Sequence, residues 1–109
     1  MILVEIKWPI NPFRGDRFAA AWAPAAEAVL DYGATQWEFR RALEGRLDFV
    51  QTAVFPTKQH FERYWYSDEI AEKRVEVATW YQVPLLPSFW EIVGSGVAHE
   101  LSPAPGEPS

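Results

Sequence analysis

Ile2, Val4, Ile6 and Trp8 alternate with Leu3, Glu5 and Lys7, the period of two that turns one face of a β-strand into an apolar core. Pro9, Asn11, Pro12 and Gly15 then mark a loop. Asp16 can cap a helix carrying Phe18, Trp22, Ala25, Ala26 and Val29 at three-to-four spacing, with Pro24 expected to kink or split it and Gly33 to stop it. From Thr35 the period returns to two, with Trp37, Phe39, Arg41 and Leu43 on one face and Gln36, Glu38, Arg40 and Glu44 on the other. Gly45 marks a turn. Leu47 to Phe55 reads as the return strand of an antiparallel hairpin, apolar on both faces and therefore central in its sheet. Thr57 can cap a short helix through Tyr66, and Ser67 a second one whose face is Ile70, Arg74, Val77 and Tyr81, ending before Pro84. Leu85 to Val93 reads as the last strand, with Pro87 near an edge or bulge.

The order strand, helix, strand, strand, helix pair, strand predicts an α+β, ferredoxin-like split βαβ plan: a four-stranded antiparallel sheet with helices on one face. Strands one, three and four are apolar on both faces, which implies a second sheet against the first, most simply from an identical subunit. Residues 1–96 form one domain in this reading, and 97–109, with the run SPAPGEPS, a Pro-rich tail expected to be disordered.

Composition narrows the partners. The hydrophobic fraction of 49% and six Trp indicate a packed globular chain. A net charge of −5 argues against nucleic-acid binding. No apolar run approaches the roughly 18 to 20 residues that span a bilayer, and MILVEIKWPI lacks the basic start and long apolar core of a signal peptide. The absence of cysteine removes thiol chemistry and disulfides and fits a cytoplasmic location.

Candidate chemistry concentrates in FERYWYSDEIAEKR, residues 61–74. Arg74 interrupts an apolar helical face, where it can offer a cationic donor to a carboxylate or enolate, or form a salt bridge with Glu38, Glu62 or Glu91. His60 stands in the first turn of its helix, either as a proton shuttle or as a surface imidazole. Tyr64 and Trp65, with Phe61 and Tyr81, are the candidate ligand contacts: aromatic walls with polar tips suit a flat ligand, and core packing is the alternative use. Arg41 breaks its own strand face, and an ion pair across a dimer interface is the expected role. His60 and His99 are too far apart in sequence to make a metal site, so no metal ligands are assigned. No phosphate loop, nucleophile elbow or paired-carboxylate pattern is present, and no cofactor is expected.

With this order of elements, the hairpin ending in TAVFPT, the following FERYWYSDEIAEKR and the final strand, the chain resembles the dimeric α+β barrel superfamily over about residues 1–94. Within it the chain is similar to the small antibiotic-biosynthesis-monooxygenase-like proteins. The resemblance implies a homodimer or higher homo-oligomer. It also implies a small-molecule cavity between helices and sheet with Trp65 on its wall, and a cofactor-independent monooxygenase, cyclase or isomerase acting on an aromatic or polyketide-like substrate. In that case His60 would move the proton and Arg74 would stabilise the enolate. A non-catalytic binding or assembly protein of the same fold is the alternative. The haem-degrading branch is not matched: Trp65 fits its pattern, but Arg74 lies where the axial histidine is expected and Asn11 falls past the first strand.

Overall fold

The computed structural model describes residues 1–44 and 48–98. The strands are β1 (Ile2–Pro9), β2 (Gln36–Arg41), β3 (Asp48–Phe55) and β4 (Ser88–Glu91), and the helices are α1 (Gly15–Glu27), α2 (Lys58–Trp65) and α3 (Asp68–Val77). The sheet order is β2-β3-β1-β4, antiparallel throughout. This is the expected ferredoxin-like α+β plan, with β3 central. The expected turn at Gly45 and the start of the return strand at Leu47 lie outside the described residues, as do His99 and most of the tail.

One face of the sheet supplies the core. Val4, Ile6 and Trp8 of β1 and Phe49, Ala53 and Phe55 of β3 are buried against Phe18, Trp22 and Val29 from α1 and the turn after it, and against Phe61, Tyr64 and Ile70 from α2 and α3. The rings interlock: Trp8 lies 5.1 Å from Phe18 and 4.6 Å from Trp22, and Phe61 lies 5.7 Å from Trp65. Such pairs add to the area-proportional gain of burial, which is why this small core holds so many aromatics.

Element ends follow local chemistry, with some shifts. Thr57 and Ser67 cap α2 and α3 by accepting from the backbone N–H groups of His60 and Ile70. Asp16 is not the cap of α1. The helix starts one residue earlier, at Gly15, and the Asp16 carboxylate instead accepts from Arg41 Nη1 at 2.7 Å. Arg41 also lies over the Phe49 ring, so the cation assigned above to a dimer interface is held within its own chain. Pro24 does not split the helix, which runs on to Glu27 and tightens into a 3-10 turn over Ala28–Tyr32. Gly33 ends it with φ 96°, a left-handed conformation that disfavours residues bearing a Cβ.

Helix α3 ends at Val77, before Pro84, and a 3-10 turn over Ala78–Trp80 carries the chain to Tyr81. Strand β4 is shorter than its apolar pattern because it pairs with β1 alone, and Pro87 within that pattern cannot donate to a ladder. No helix among the described residues is long and apolar enough to cross a membrane.

Candidate functional site

The centre of the helix–sheet layer is a polar node in an aromatic shell. On β3, the inward positions read Phe49, Gln51, Ala53, Phe55, so the two-residue period drives an amide into the core at Gln51, which is 2% exposed. Its Oε1 accepts from Trp22 Nε1 at 2.8 Å and from Trp8 Nε1 at 3.2 Å. Its Nε2 donates to the Tyr64 hydroxyl at 3.1 Å, and that hydroxyl donates to the Ala25 carbonyl at 2.7 Å. The chain of bonds ties α1, α2, β1 and β3 together. No buried side-chain polar atom among the described residues lacks a partner, as a core of this polarity requires. Burial pushes the Tyr64 phenol far above its ordinary value, with the Gln51 bond and the Arg74 charge pulling back, so the group is a neutral donor at physiological pH.

Around the node the space is closed. The gap lined by Val4, Ile6, Val29, Ala53, Phe61 and Tyr64 is too narrow for a water molecule. Phe61 and Tyr64 are therefore packed core residues, with the Phe61 ring stacked on Trp65 and in edge contact with Phe55 and Phe89.

Arg74 stands at the rim of this layer. The α3 spacing turns it toward the C-terminal end of α2, where its Nη1 donates to the Trp65 carbonyl at 2.6 Å and its guanidinium lies 4.2 Å from the centre of the Trp65 ring. A cation here satisfies a terminal helix carbonyl and the negative end of the helix dipole. None of the salt bridges considered above, to Glu38, Glu62 or Glu91, is formed. Burial lowers the guanidinium from its ordinary value, opposed by the nearby Tyr81, Tyr66 and Tyr64 hydroxyls. Tyr81 is half-buried and pairs with Ile10 in a single bridge. Its ring meets Trp8 edge-on at 5.0 Å, and burial raises its phenol while Arg74 opposes the rise. Tyr66, 71% exposed, completes the rim.

His60 is elsewhere. It lies in the first turn of α2 with Nδ1 2.7 Å from Thr57 Oγ1, and its ring packs beside Gly33. Trp65 ends the same helix about 7.5 Å further along the axis at 1.5 Å per residue. His60 and Arg74 thus sit at opposite ends of α2, and no hydrogen bond joins them among the described residues. The structure brings Trp65, Arg74 and Tyr81 together and leaves His60 apart. Gln51 was absent from the candidates named on sequence. Its signal was a lone amide on an apolar strand face in a chain whose many indole N–H groups need acceptors. No group of acidic or histidine side chains among the described residues can hold a metal ion.

No protein-family profile matches the sequence, and no curated protein matches it. Solved structures do match in fold. A candidate antibiotic biosynthesis monooxygenase from Nitrosomonas europaea aligns with TM-score 0.77 at 14% identity, over 86% of this chain and 100% of that one. A second such candidate, from Bordetella bronchiseptica, aligns with TM-score 0.71 at 19% identity, over 84% and 97%. SnoaB, a cofactor-independent oxygenase from Streptomyces nogalater, aligns with TM-score 0.73 at 10% identity, over 86% and 94%. The chain has the fold of the antibiotic-biosynthesis-monooxygenase-like α+β barrel proteins, and identities at this level speak to fold alone.

Proposed function

We propose that this chain, sharing the fold of the antibiotic-biosynthesis-monooxygenase-like proteins, is a homodimeric barrel that binds a small, flat, anionic aromatic molecule at the rim formed by Arg74, Trp65, Tyr66 and Tyr81. The single observation that carries the reading is the half-buried Arg74 guanidinium stacked on Trp65. Only Nη1 is engaged in a hydrogen bond among the described residues, so the remaining N–H donors can serve a carboxylate, phenolate or enolate. A flat ligand would gain ring contacts from Tyr66 and Tyr81. Because the interior behind the rim is closed, the ligand is held at the edge of the layer rather than within it. If the chain shares the type of reaction named for SnoaB, Arg74 would stabilise the enolate of the substrate, and a proton acceptor other than His60 would be needed unless α2 moves.

The second reading is a non-catalytic assembly protein of the same fold. The filled layer around Gln51 favours it, because a fully satisfied core node leaves no room for substrate.

Titration of the protein with flat phenolic carboxylates, followed by tryptophan fluorescence and calorimetry, separates the two. Arg74→Met should preserve the fold and weaken binding by about 1.5 to 3 kcal/mol, the worth of a hydrogen bond to a charged group. Absence of binding by the wild-type protein, together with an empty native mass spectrum after exposure to a metabolite extract, would leave the assembly reading. The homodimer reading is supported by the apolar outward positions Leu3, Val50 and Val54 on the two central strands, and an obligate interface of this type buries more than about 2,000 Å².

A further inference from the structure

Three separate connections place a large apolar side chain in solvent at one end of the sheet, where β1 and β2 finish and β3 begins. Phe13, in the loop between β1 and α1, is 97% exposed; Leu43, just beyond β2, is 99% exposed; and Val83, between α3 and β4, is 75% exposed. Contacts at the roots of these loops hold them close. The Arg41 guanidinium lies against Gly15 and pairs with Asp16, so Phe13 and Leu43 each stand two residues, at most about 7 Å of chain, from the same contact. Gln82 N–H donates to the Pro9 carbonyl, and Pro9 faces Asp48 across the ladder, which brings Val83 to the same end. Apolar side chains scattered singly over a surface need no explanation, but three on neighbouring loops do.

Phe13 is the informative member. Asn11 to Arg14 form a turn closed by the Arg14 N–H on the Asn11 carbonyl at 3.2 Å, with Pro12 in the second place. The third place, Phe13, has φ 66°, a conformation that glycine or asparagine takes readily and that a bulky side chain disfavours. The phenylalanine therefore strains the backbone and gains no burial in return. Such an outlier points to a role outside the fold.

Charge narrows that role. Arg14 and Arg17 are exposed and carry no ion pair among the described residues, whereas Asp16 is taken by Arg41 and Glu38 by Arg40. Glu44, beside Leu43, is the opposing exposed carboxylate. The surplus at this end is basic in a chain whose net charge is −5, and such an asymmetry orients a molecule toward an anionic surface.

We propose that this end of the sheet is a peripheral membrane-docking edge: Phe13, Leu43 and Val83 enter the boundary between headgroups and acyl chains of an anionic bilayer, while Arg14 and Arg17 contact lipid phosphates. Loop tips with an apolar side chain at each apex match a soft, flat surface; a protein partner would need a recess for each of the three. No helix among the described residues can cross a bilayer, so attachment is from one side and reversible. The inference stands apart from the rim ligand and the homodimer, and its test depends on neither.

Co-sedimentation of the full chain with vesicles of phosphatidylglycerol and phosphatidylcholine, and with vesicles of phosphatidylcholine alone, tests the proposal. The wild-type protein should bind the mixed vesicles, lose binding as salt is raised, and bind phosphatidylcholine at least about tenfold more weakly. Phe13→Gly should lower partitioning at least about tenfold while its thermal midpoint stays at or above that of wild type, because glycine adopts φ 66° without strain. Leu43→Ser should weaken binding in the same way, and Arg14→Gln together with Arg17→Gln should lose about fivefold for each charge removed. A wild-type protein that stays in the supernatant with both kinds of vesicle, or binds both equally, overturns the proposal, as does a Phe13→Gly protein that binds as well as wild type. A Phe13→Gly protein that melts more than about 5 °C lower also overturns it, by giving the ring a structural role. So does weakened self-association of that variant in sedimentation velocity, which would assign the tips to a second copy of the chain.

Discussion

Replacing Gln51 by leucine should be among the most damaging single changes in this chain, even though it makes the core more apolar. Leucine roughly matches the buried volume and adds apolar contact, worth about 1 to 2 kcal/mol on the usual area scale. Against this, the indole N–H groups of Trp8 and Trp22 lose their shared acceptor, and both residues are 0% exposed, so water cannot replace it. Each orphaned buried donor costs about 1 to 3 kcal/mol. The Tyr64 hydroxyl keeps its acceptor at the Ala25 carbonyl and loses only the bond it accepts from Gln51, which adds a smaller amount. The net is a loss of about 2 to 4 kcal/mol, a large share of the about 5 to 15 kcal/mol that holds a domain together.

Urea unfolding followed by far-ultraviolet circular dichroism is the suitable assay, since two tryptophans belong to the perturbed site and fluorescence would report the change itself. The midpoint should fall with the slope unchanged. Tyr64→Phe should cost about 1 to 3 kcal/mol by leaving the buried Gln51 Nε2–H without the hydroxyl it donates to and removing the Tyr64 bond to the Ala25 carbonyl, and the double variant should cost less than the sum, because the two residues share a bond. A Gln51→Leu protein within about 0.5 kcal/mol of wild type, the usual range for substitutions that touch nothing important, would refute the node as a structural element.

Two other outcomes follow from the same geometry. Gly33→Ala should destabilise the fold by more than about 1 kcal/mol, because the position has φ 96° and a Cβ there would stand 2.8 Å from His60 Cδ2; His60→Ala in the same chain should recover the steric part and leave the backbone part, as thermal melts of the three proteins would reveal. Alkaline unfolding should reflect Tyr64: its phenol is raised in the folded state, so the unfolded chain loses its proton first, near pH about 10, and stability falls as pH climbs above that value. Tyr64→Phe should flatten this alkaline decline, which a denaturant midpoint series across that range would detect.

Periodicity alone determined most of the architecture. A two-residue repeat fixes which side of a strand is wet, and capping chemistry at Thr57 and Ser67 and the left-handed stop at Gly33 act within a few residues, so each was legible in the sequence. The ends of elements were less legible where a neighbour competes. Asp16 reads as a cap, yet Arg41, distant in sequence, takes its carboxylate. The last strand reads as long, yet it has one neighbour, and Pro87 within it cannot donate to a ladder.

The candidate site was legible only as a neighbourhood. The sequence put Trp65, Arg74 and Tyr81 on plausible faces, but whether a face borders a cavity depends on the volume of side chains arriving from other elements. Trp8 and Trp22 fill that volume here, and Gln51 gives their N–H groups a partner. His60 and Arg74 looked like companions because they lie on consecutive helices, His60 in α2 and Arg74 in α3; α2 keeps them apart because His60 is in its first turn while Arg74 meets its last residue, Trp65. Spacing along one element belongs to the sequence, whereas the meeting of a β3 amide, two indoles and a phenol from four elements belongs to the tertiary structure, where packing and the need to satisfy every buried polar group are decided together.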